Sequence, residues 1–363
     1  MALADLGRNV RRYMKLQKLS IPQLAEKSGL GTATLSNILN EKASPNSSTL
    51  IKISTALGVS FPELLAETPK LKTLRFRTNT KLTAREIAER DQLEIDSAIW
   101  LKNYVSLEEL TGKKSNYKLN KVVTKDPNEA AKEVRKIFNI KEDAPVYDIV
   151  SLIENAGIKL YLHDFNFQKT FGLSVNEEDG GPAIIVNNSV NISVERKIFT
   201  IAHELGHLIL HKTSFDGKFA EENDAEEKEA DTFAAEFLMP EKAFIKQWEA
   251  HSGISWVDAV LQIKQYFGVS YKTVLYRLNS IVGDRFKPGY LYIEFARLYR
   301  IKYNHDLKNN YEPAELSPFS FTEERFERLV RQAYEQQKIT ISRAAEILNL
   351  STMQMRERVA EWL

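Results

Sequence analysis

Residues 203–207 read His-Glu-Leu-Gly-His, which is the H-E-x-x-H spacing of a metal-binding helix. One turn of α-helix places residues i and i+4 on the same face, so His203 and His207 can reach one Zn²⁺ with Glu204 beside them. Between residues 195 and 211 apolar side chains recur at helical spacing without a proline, which predicts a largely buried helix. Burying two imidazoles and a carboxylate is costly, so we expect either a metal ion or a network of core histidines here.

A second predicted helix offers acidic candidates for a third ligand, since a catalytic zinc site takes three protein ligands and keeps one position for water. This helix runs from Asn223 to Met239, with Asn223 and Glu226 as a capping box and Pro240 as the stop. Acidic residues crowd its start, and a solvated acidic face at the helix N-terminus is the alternative for most of them. They are Asp224, Glu226, Glu227, Glu229 and Asp231.

Helical geometry selects among these acids. Glu226 and Glu227 fall at the two edges of the apolar stripe, and Glu229 falls off it. Glu227 also precedes Asp231 by four residues, which suits a ligand followed by an acid that accepts the other N–H of a ligating histidine. We therefore predict Glu227 as the third ligand, with Glu226 and Glu229 as alternatives. Asp231 and His211 are predicted to support the ligands, with simple packing as the alternative for His211.

The segments 203–211 and 227–240 resemble the two motif blocks of the ImmA/IrrE family of metallopeptidases, in the same order. The resemblance extends over about residues 120–285. The carboxylate ligand of that family stands thirteen residues before the proline of an L-M-P block, and that position is Glu227 here. The resemblance implies a zincin-like fold, Zn²⁺ as cofactor, Glu204 as the catalytic base, and cleavage of a regulatory partner protein.

The N-terminal residues 1–67 predict five short helices, and the pair formed by Gln23–Leu30 and Thr32–Ile38 has the pattern of a helix-turn-helix. The pattern resembles the Xre or lambda-repressor-like family over residues 4–66. Within residues 1–67 basic residues outnumber acidic ones by eight to five, and a bundle used only for packing is the alternative. The second helix would present small and polar side chains to base edges, and Lys42 would contact a phosphate. The predicted DNA-binding residues are Thr32, Ala33, Ser36, Asn37 and Lys42.

The remaining chain gives four predicted domains: 1–67, a basic connector with a helical linker at 68–119, the peptidase domain at 120–285, and a helical C-terminal region at 286–363. The connector could lie along DNA phosphates or be a solvated linker. Strand-like runs precede the metal helix, and Ala183–Asn187 could be either the edge strand that pairs with a substrate or part of a core hairpin. The stretch 339–351 predicts two short helices at a tight turn, which could bind DNA or pack as a tail.

Composition limits the functional classes. A length of 363 residues is enough for two or three cores, and a net charge of +1 confines any DNA binding to a local surface. The absence of cysteine excludes disulfides and Cys-zinc sites. No apolar run approaches membrane length, and the N-terminus lacks the apolar core of a signal peptide, so we expect a cytoplasmic protein without a membrane partner.

The sequence therefore predicts a mainly α protein with a small β-sheet (α+β). It also predicts a DNA-binding transcriptional regulator with zinc-dependent endopeptidase activity, which cleaves a partner repressor or antitoxin, or itself. The alternative is a non-catalytic DNA-binding repressor or antitoxin whose peptidase-like domain binds a metal or a partner. Expected partners are double-stranded operator DNA and a protein substrate, and proteins of this type usually bind operators as homodimers. The candidates for stabilising the oxyanion are Tyr271, Tyr276 and Arg277.

Overall fold

The structure is a computed structural model of the full chain. It describes residues 3–17, 19–60, 64–65, 67, 69–76, 82–165, 167, 170–215, 223–283, 289–307, 311–317, 321 and 324–362. The predicted fold class is confirmed, because helices dominate and the strands form a single small mixed sheet. The chain folds into two compact units: residues 1–71, 82–113 and 326–363 form the first unit, and residues 72–81 and 114–325 form the second.

The first unit begins with four helices: α1 (Leu3–Leu16), α2 (Ile21–Ser28), α3 (Thr32–Leu39) and α4 (Ser47–Leu57). Ser20 and Gln23 form a capping box at the start of α2, and Gly29 ends it with a φ of 61°. Leu35 and Ile38 of α3 are buried in a shared apolar core with residues of the other three helices. Residues 61–63 of the predicted fifth helix lie outside the described residues, whereas Leu64 and Leu65 are helical.

Four further helices complete the first unit: α5 (Ala84–Thr111), α14 (Arg325–Glu335), α15 (Ile341–Ile347) and α16 (Thr352–Trp362). Arg325 itself is counted with the second unit. Thr83 and Glu86, whose spacing in the sequence predicts a capping box, form one at the start of α5. Phe326 stacks on Tyr104 of α5 with a centroid separation of 5.2 Å, and the Arg343 guanidinium donates to Asn103 at 2.7 Å. The helices α15 and α16 match the predicted pair at a tight turn, and these contacts favour the interpretation as a packing tail.

The second unit contains four strands, β1 (Leu74–Phe76), β2 (Lys159–His163), β3 (Gly172–Val175) and β4 (Ala183–Asn187). Its helices are α6 (Pro127–Ile137), α7 (Ile149–Asn155), α8 (Val194–Leu210), α9 (Asp224–Leu238), α10 (Glu241–Ala250), α11 (Trp256–Phe267), α12 (Tyr271–Val282) and α13 (Tyr290–Tyr303). Helix α8 carries the H-E-x-x-H motif and α9 carries the acidic run.

The sheet has the order β1-β3-β4-β2, with β2 parallel to β4 and the other two pairs antiparallel. Strand β4 is fully buried and pairs on both sides, with β3 and with β2. The interpretation of Ala183–Asn187 as a substrate-binding edge strand is therefore wrong, because its backbone groups are already used by neighbouring strands. The edge beside β3 is taken by β1, whose residues belong to the predicted connector.

Strand β3 lies against helix α8 at very close range, and Gly172 allows this approach. A Cβ added at Gly172 would lie 2.5 Å from Cγ2 of Thr200 and 3.2 Å from Cγ of Glu204. The same unit has a single continuous apolar core that includes residues of α8, α9 and the sheet. The sheet and the motif helix are thus held at a separation that a larger residue would not permit.

Replacing Gly172 with alanine should lower the stability of the protein, because the stiff β-branched side chain of Thr200 cannot yield easily. We expect a loss of about 1–3 kcal/mol, which corresponds to several degrees in the apparent melting temperature. Gly253→Ala is the matched control, since nothing lies within 4 Å of a Cβ at Gly253. Equal melting temperatures for the two variants in thermal denaturation would contradict the close packing of β3 on α8.

Candidate functional site

Three buried side chains of the second unit converge on one point, two from α8 and one from α9. The Nε2 atoms of His203 and His207 lie 2.9 Å apart. One carboxylate oxygen of Glu227 lies 3.3 Å from His203 Nε2, and the other lies 3.3 Å from His207 Nε2. One ligand atom from each residue can be chosen so that all three lie within 4.8 Å of one another. Two imidazole nitrogens and a carboxylate oxygen are a suitable donor set for a divalent metal ion such as Zn²⁺.

The outer nitrogens of both imidazoles are engaged, and this fixes the orientation of the rings. His203 Nδ1 donates to Asp231 at 2.8 Å. His207 Nδ1 lies 2.9 Å from Nδ1 of His211, whose Nε2 donates to Glu229 at 2.9 Å. Because the carboxylate of Glu229 accepts from Nε2, the Nδ1 of His211 is left to accept from His207. Both motif imidazoles then turn Nε2 toward Glu227.

The other two acids considered as third ligands have different partners. Glu229 binds His211, as described, and Glu226 accepts from the Ser214 hydroxyl at 2.7 Å. The predicted capping box at the start of α9 is absent from its described hydrogen bonds, since Asn223 accepts from the Ala225 N–H instead. The Glu226 carboxylate therefore does not cap α9 and lies beside the candidate site instead.

Burial and hydrogen bonds separate the pKa values of the site residues. Burial opposes protonation of His203, but the hydrogen bonds that its ring donates to Asp231 and Glu227 outweigh burial and raise the pKa of His203 to about 9. Burial lowers the pKa of His207 to about 3, and the positive charge on His203 adds to this effect. Burial alone would raise the pKa of Glu227, but its hydrogen bonds to both imidazoles hold it far below the usual range. The site therefore concentrates negative charge on Glu227, where a cation would bind.

Glu204 follows His203 on α8 and is buried beside strand β3. The Ser174 hydroxyl donates to its carboxylate at 2.8 Å. Burial raises the pKa of Glu204 above its usual value, against the opposing effects of His203 and Ser174. A carboxylate with a raised pKa next to a metal site is suited to accept and return a proton. A pocket of about 10 Å³ adjoins Glu204 and His203, and the Arg196 guanidinium covers the Phe171 ring at its rim at 4.1 Å.

Sequence reasoning missed two residues beside the site, Arg75 and Ser174. Arg75 of β1 donates to Glu226 at 2.5 Å and to Glu227 at 3.3 Å. For this residue neither interpretation of the basic connector is right, because its side chain is partly buried against acids rather than solvated or free for phosphates. Arg77 and Lys81 of the connector lie outside the described residues. No local pattern distinguishes Arg75 from the surrounding basic residues, so the sequence carried no signal for its role.

Two of the three residues considered for the oxyanion, Tyr271 and Arg277, have structural partners in the described part of the chain. Arg277 is buried and donates to Glu236 at 3.0 Å and to the Met239 carbonyl at 2.9 Å. Tyr271 stacks on Phe295, with the ring centroids 5.2 Å apart, and Tyr276 is 44% exposed. Arg277 thus holds the end of α9, which is a positioning contact for the helix that carries Glu227.

The predicted DNA-contacting residues of the first unit lie on the outer side of α3 and on the turn after it. Thr32, Ala33 and Asn37 are exposed, and Ser36 is half-buried. Lys42 is exposed as well. Ser36 accepts from Asn40 at 3.3 Å, and Asn40 in turn accepts from the Arg11 guanidinium at 2.7 Å. The face opposite the buried anchors of α3 is therefore open to a nucleic acid.

Two family models match the chain in these two regions. Residues 153–279, which include the whole H-E-x-x-H helix and α9, match the model of the IrrE N-terminal-like domain. The second unit carries an IrrE-like peptidase-family domain. Residues 10–64 match the helix-turn-helix model. Both predicted resemblances are confirmed, and the protein is a DNA-binding regulator with a metallopeptidase-family domain. No curated protein matches the chain.

Two further predictions concern a metal ion and a membrane. The IrrE-like domain has a buried His/His/Glu cluster of the kind that a metal-dependent peptidase family requires. Among the described residues, no helix has both the length and the apolar character that a membrane span needs.

Metal binding to the IrrE-like domain should become stronger as the pH rises. At neutral pH the metal-free site holds one proton on His203, whose pKa is about 9, while His207 is neutral with a pKa of about 3. A metal ion must displace that proton, so the apparent affinity for Zn²⁺ should rise about tenfold per pH unit from pH 6 to 8 and level off above pH 9. Competition with a chromophoric chelator measures this slope.

Asp231→Asn is the matched variant for this experiment. This substitution removes the negative charge that favours protonated His203. The apparent affinity for Zn²⁺ should therefore stop rising with pH at a lower pH than in the parent protein. The affinity for Zn²⁺ at pH 9 should also fall by about 10- to 100-fold, because the outer hydrogen bond orients the ring. A parent affinity that does not change between pH 6 and 8 would contradict the described protonation of His203.

Replacing Asn37 with alanine should weaken specific DNA binding by about 1–3 kcal/mol, since a side chain that pairs with a base edge contributes that much. Competition binding of the full chain against genomic fragments, sequenced after selection, measures both affinity and sequence preference. Asn155→Ala, at the end of α7 in the IrrE-like domain, is the control and should bind DNA like the parent. An unchanged preference in the Asn37 variant would remove this residue from the predicted DNA interface.

Proposed function

We propose that the protein is a DNA-binding transcriptional regulator whose IrrE-like domain is a zinc-dependent endopeptidase. The observation that carries this proposal is the buried cluster of His203, His207 and Glu227, with the Glu204 carboxylate beside it. The donor set and its oriented imidazoles fit Zn²⁺, and the H-E-x-x-H spacing supplies a general base as well as ligands. The proposed substrate is a regulatory protein, such as a repressor or antitoxin, or the chain itself.

The roles of the chain's own residues follow from their contacts. Bound zinc would supply an activated water and a polarised carbonyl. With zinc bound, Glu204 would accept a proton from the attacking water as the water oxygen forms a bond to the scissile carbonyl carbon, and would later return the proton to the amine as the C–N bond breaks. The hydrogen bond from Ser174 fixes the Glu204 carboxylate, and burial raises the pKa of that carboxylate above its usual value. The products are a carboxylate and an amine.

The helix-turn-helix supports a role in which this chemistry is directed to proteins that act on DNA. Exposed residues of α3 would select an operator, and the IrrE-like domain would cleave a partner bound to the same DNA. The protein is proposed to act as a homodimer on a two-fold operator. A non-catalytic regulator, in which the cluster only binds a metal or a partner, is the alternative outcome of the following test.

Replacing Glu204 with glutamine should abolish hydrolysis while leaving zinc binding intact, because the amide keeps the shape but cannot accept the proton. We expect a loss of at least about 100-fold, as is usual for a general base. The zinc-loaded protein is incubated with a peptide library prepared from a cell lysate, and new peptide termini are counted by mass spectrometry.

Glu249→Gln is the matched control. Glu249 is exposed on α10, so this variant should cleave peptides at the rate of the parent protein. Zinc content is measured for all three proteins. Cleavage by the Glu204 variant at the parent rate would exclude Glu204 as the base. A zinc-loaded parent that produces no new termini would support the non-catalytic alternative.

A further inference from the structure

Strand β3 is the part of the sheet that faces the candidate catalytic residues. Ser174 in β3 donates to Glu204 at 2.8 Å, and Gly172 brings the strand against α8. An extended segment paired with the side of β3 away from β4 would therefore run alongside the helix that carries the base and two ligands. Pairing with a sheet edge is a common way to bind extended peptides, since the backbone supplies the hydrogen bonds and the side chains the specificity.

This position is filled by the chain's own residues 74–76. They pair antiparallel with residues 173–175, and Arg75 stands directly opposite Ser174. Side chains of directly opposite residues project to the same face of a sheet, so Arg75 is directed to the same face as the Ser174 hydroxyl. The Arg75 guanidinium reaches Glu226 at 2.5 Å and Glu227 at 3.3 Å, with only 12% of its side chain exposed.

Glu226 and Glu227 have different hydrogen-bond partners, and this difference favours Glu226 as the partner for a basic side chain. Glu227 is engaged by both imidazoles, whereas Glu226 is held in place by Ser214. Glu226 therefore presents an oriented carboxylate at the border of the site, which suits a guanidinium.

The attachment of β1 is mostly polar. Asp179 accepts hydrogen bonds from the backbone N–H groups of Lys72 and Thr73 at 2.8 and 2.7 Å, and from the Thr73 hydroxyl at 2.7 Å. Leu74 is only half-buried. The strand is short. It belongs to the segment 72–81, which is part of the second unit, whereas the segments directly before and after it in the chain belong to the first unit. The described contacts that hold this strand are thus hydrogen bonds and the two ion pairs of Arg75, so release of the strand requires these polar contacts to break.

We propose that the side of β3 away from β4 is the peptide-binding groove of the IrrE-like domain and that Glu226 is its subsite for an arginine side chain. Residues 72–76 occupy this groove as an internal ligand. A substrate segment is accordingly extended, carries a basic residue opposite Ser174, and binds only after the internal strand is displaced. This inference rests on the proposed peptidase function, because it assigns the substrate class of the same site.

The experiment measures peptide binding rather than cleavage, in the full-length zinc-loaded protein with the Glu204→Gln substitution. The probe is a fluorescent peptide that copies residues 70–80, and its affinity is followed by anisotropy. Asp179→Ala removes the acceptor of all three hydrogen bonds to Lys72 and Thr73, so the internal strand is released and the affinity should rise at least about tenfold. Thr73→Val conserves shape and removes one of the bonds, and should raise the affinity about fivefold.

A second probe with glutamate in place of the arginine at position 75 tests the subsite. It should bind the Asp179 variant at least about tenfold more weakly than the first probe, because it would place a carboxylate against Glu226. Adding Glu226→Gln should remove most of this difference. Asp148→Ala is the matched control. Asp148 accepts a hydrogen bond from one backbone N–H at the start of α7, and its replacement should leave the peptide affinity unchanged.

Two outcomes would overturn the inference: equal peptide affinity of the parent, Asp179 and Thr73 proteins, or equal binding of the two probes by the Asp179 variant. Neither outcome depends on hydrolysis. If the library experiment shows cleavage but the probe affinities do not change, the peptidase function stands and the groove lies elsewhere. If the affinities change as expected but the zinc-loaded parent cleaves nothing, the groove stands as a binding site and the peptidase function fails.

Discussion

The close approach of α8 and α9 is the constraint on which the site depends. A Cβ added at Gly206 would lie 3.1 Å from Cδ1 of Phe233 and 3.3 Å from Cα of Ala230. The backbone of α8 at Gly206 therefore packs directly against α9. Gly206 lies between the two motif histidines, and Ala230 is one turn after Glu227. Small residues at the helix crossing therefore bring a carboxylate within reach of both imidazoles. A larger side chain there would separate donors that a single metal ion must join.

Burial makes this arrangement costly, and the surrounding residues offset the cost. The outer imidazole nitrogens are held by Asp231 and by the pair of His211 and Glu229, so no ring is left free to rotate. Charges removed from water must be paired or bound to a metal. The same rule applies to Arg75, whose guanidinium lies among the acids beside the ligands rather than in solvent.

The first turn of α8 is fixed by a second buried network. Lys264 of α11 donates to Glu195 at 2.5 Å, and both side chains are fully buried. Glu195 also accepts from the backbone N–H of Leu316 at 2.8 Å, and Lys264 donates to the Ala314 carbonyl at 2.9 Å. A segment beyond residue 279, where the family match ends, thus helps to hold the motif helix. Breaking such a pair would leave an uncompensated buried charge next to the site.

The sequence by itself determined most of the helices and the residue types of the candidate site, whereas the capping box that it predicts at the start of α9 is absent from the described hydrogen bonds. Periodicity and caps act over a few residues, so the bounds of α3 and the capping box of Thr83 could be predicted from local pattern. The H-E-x-x-H spacing is likewise local, since one turn of helix sets it. Only the tertiary structure decided which strand borders the site, and it placed β1, not β4, at the edge beside β3. It alone brought Arg75 to Glu226, because strand order and contacts across about 150 residues depend on packing, which no short-range pattern records.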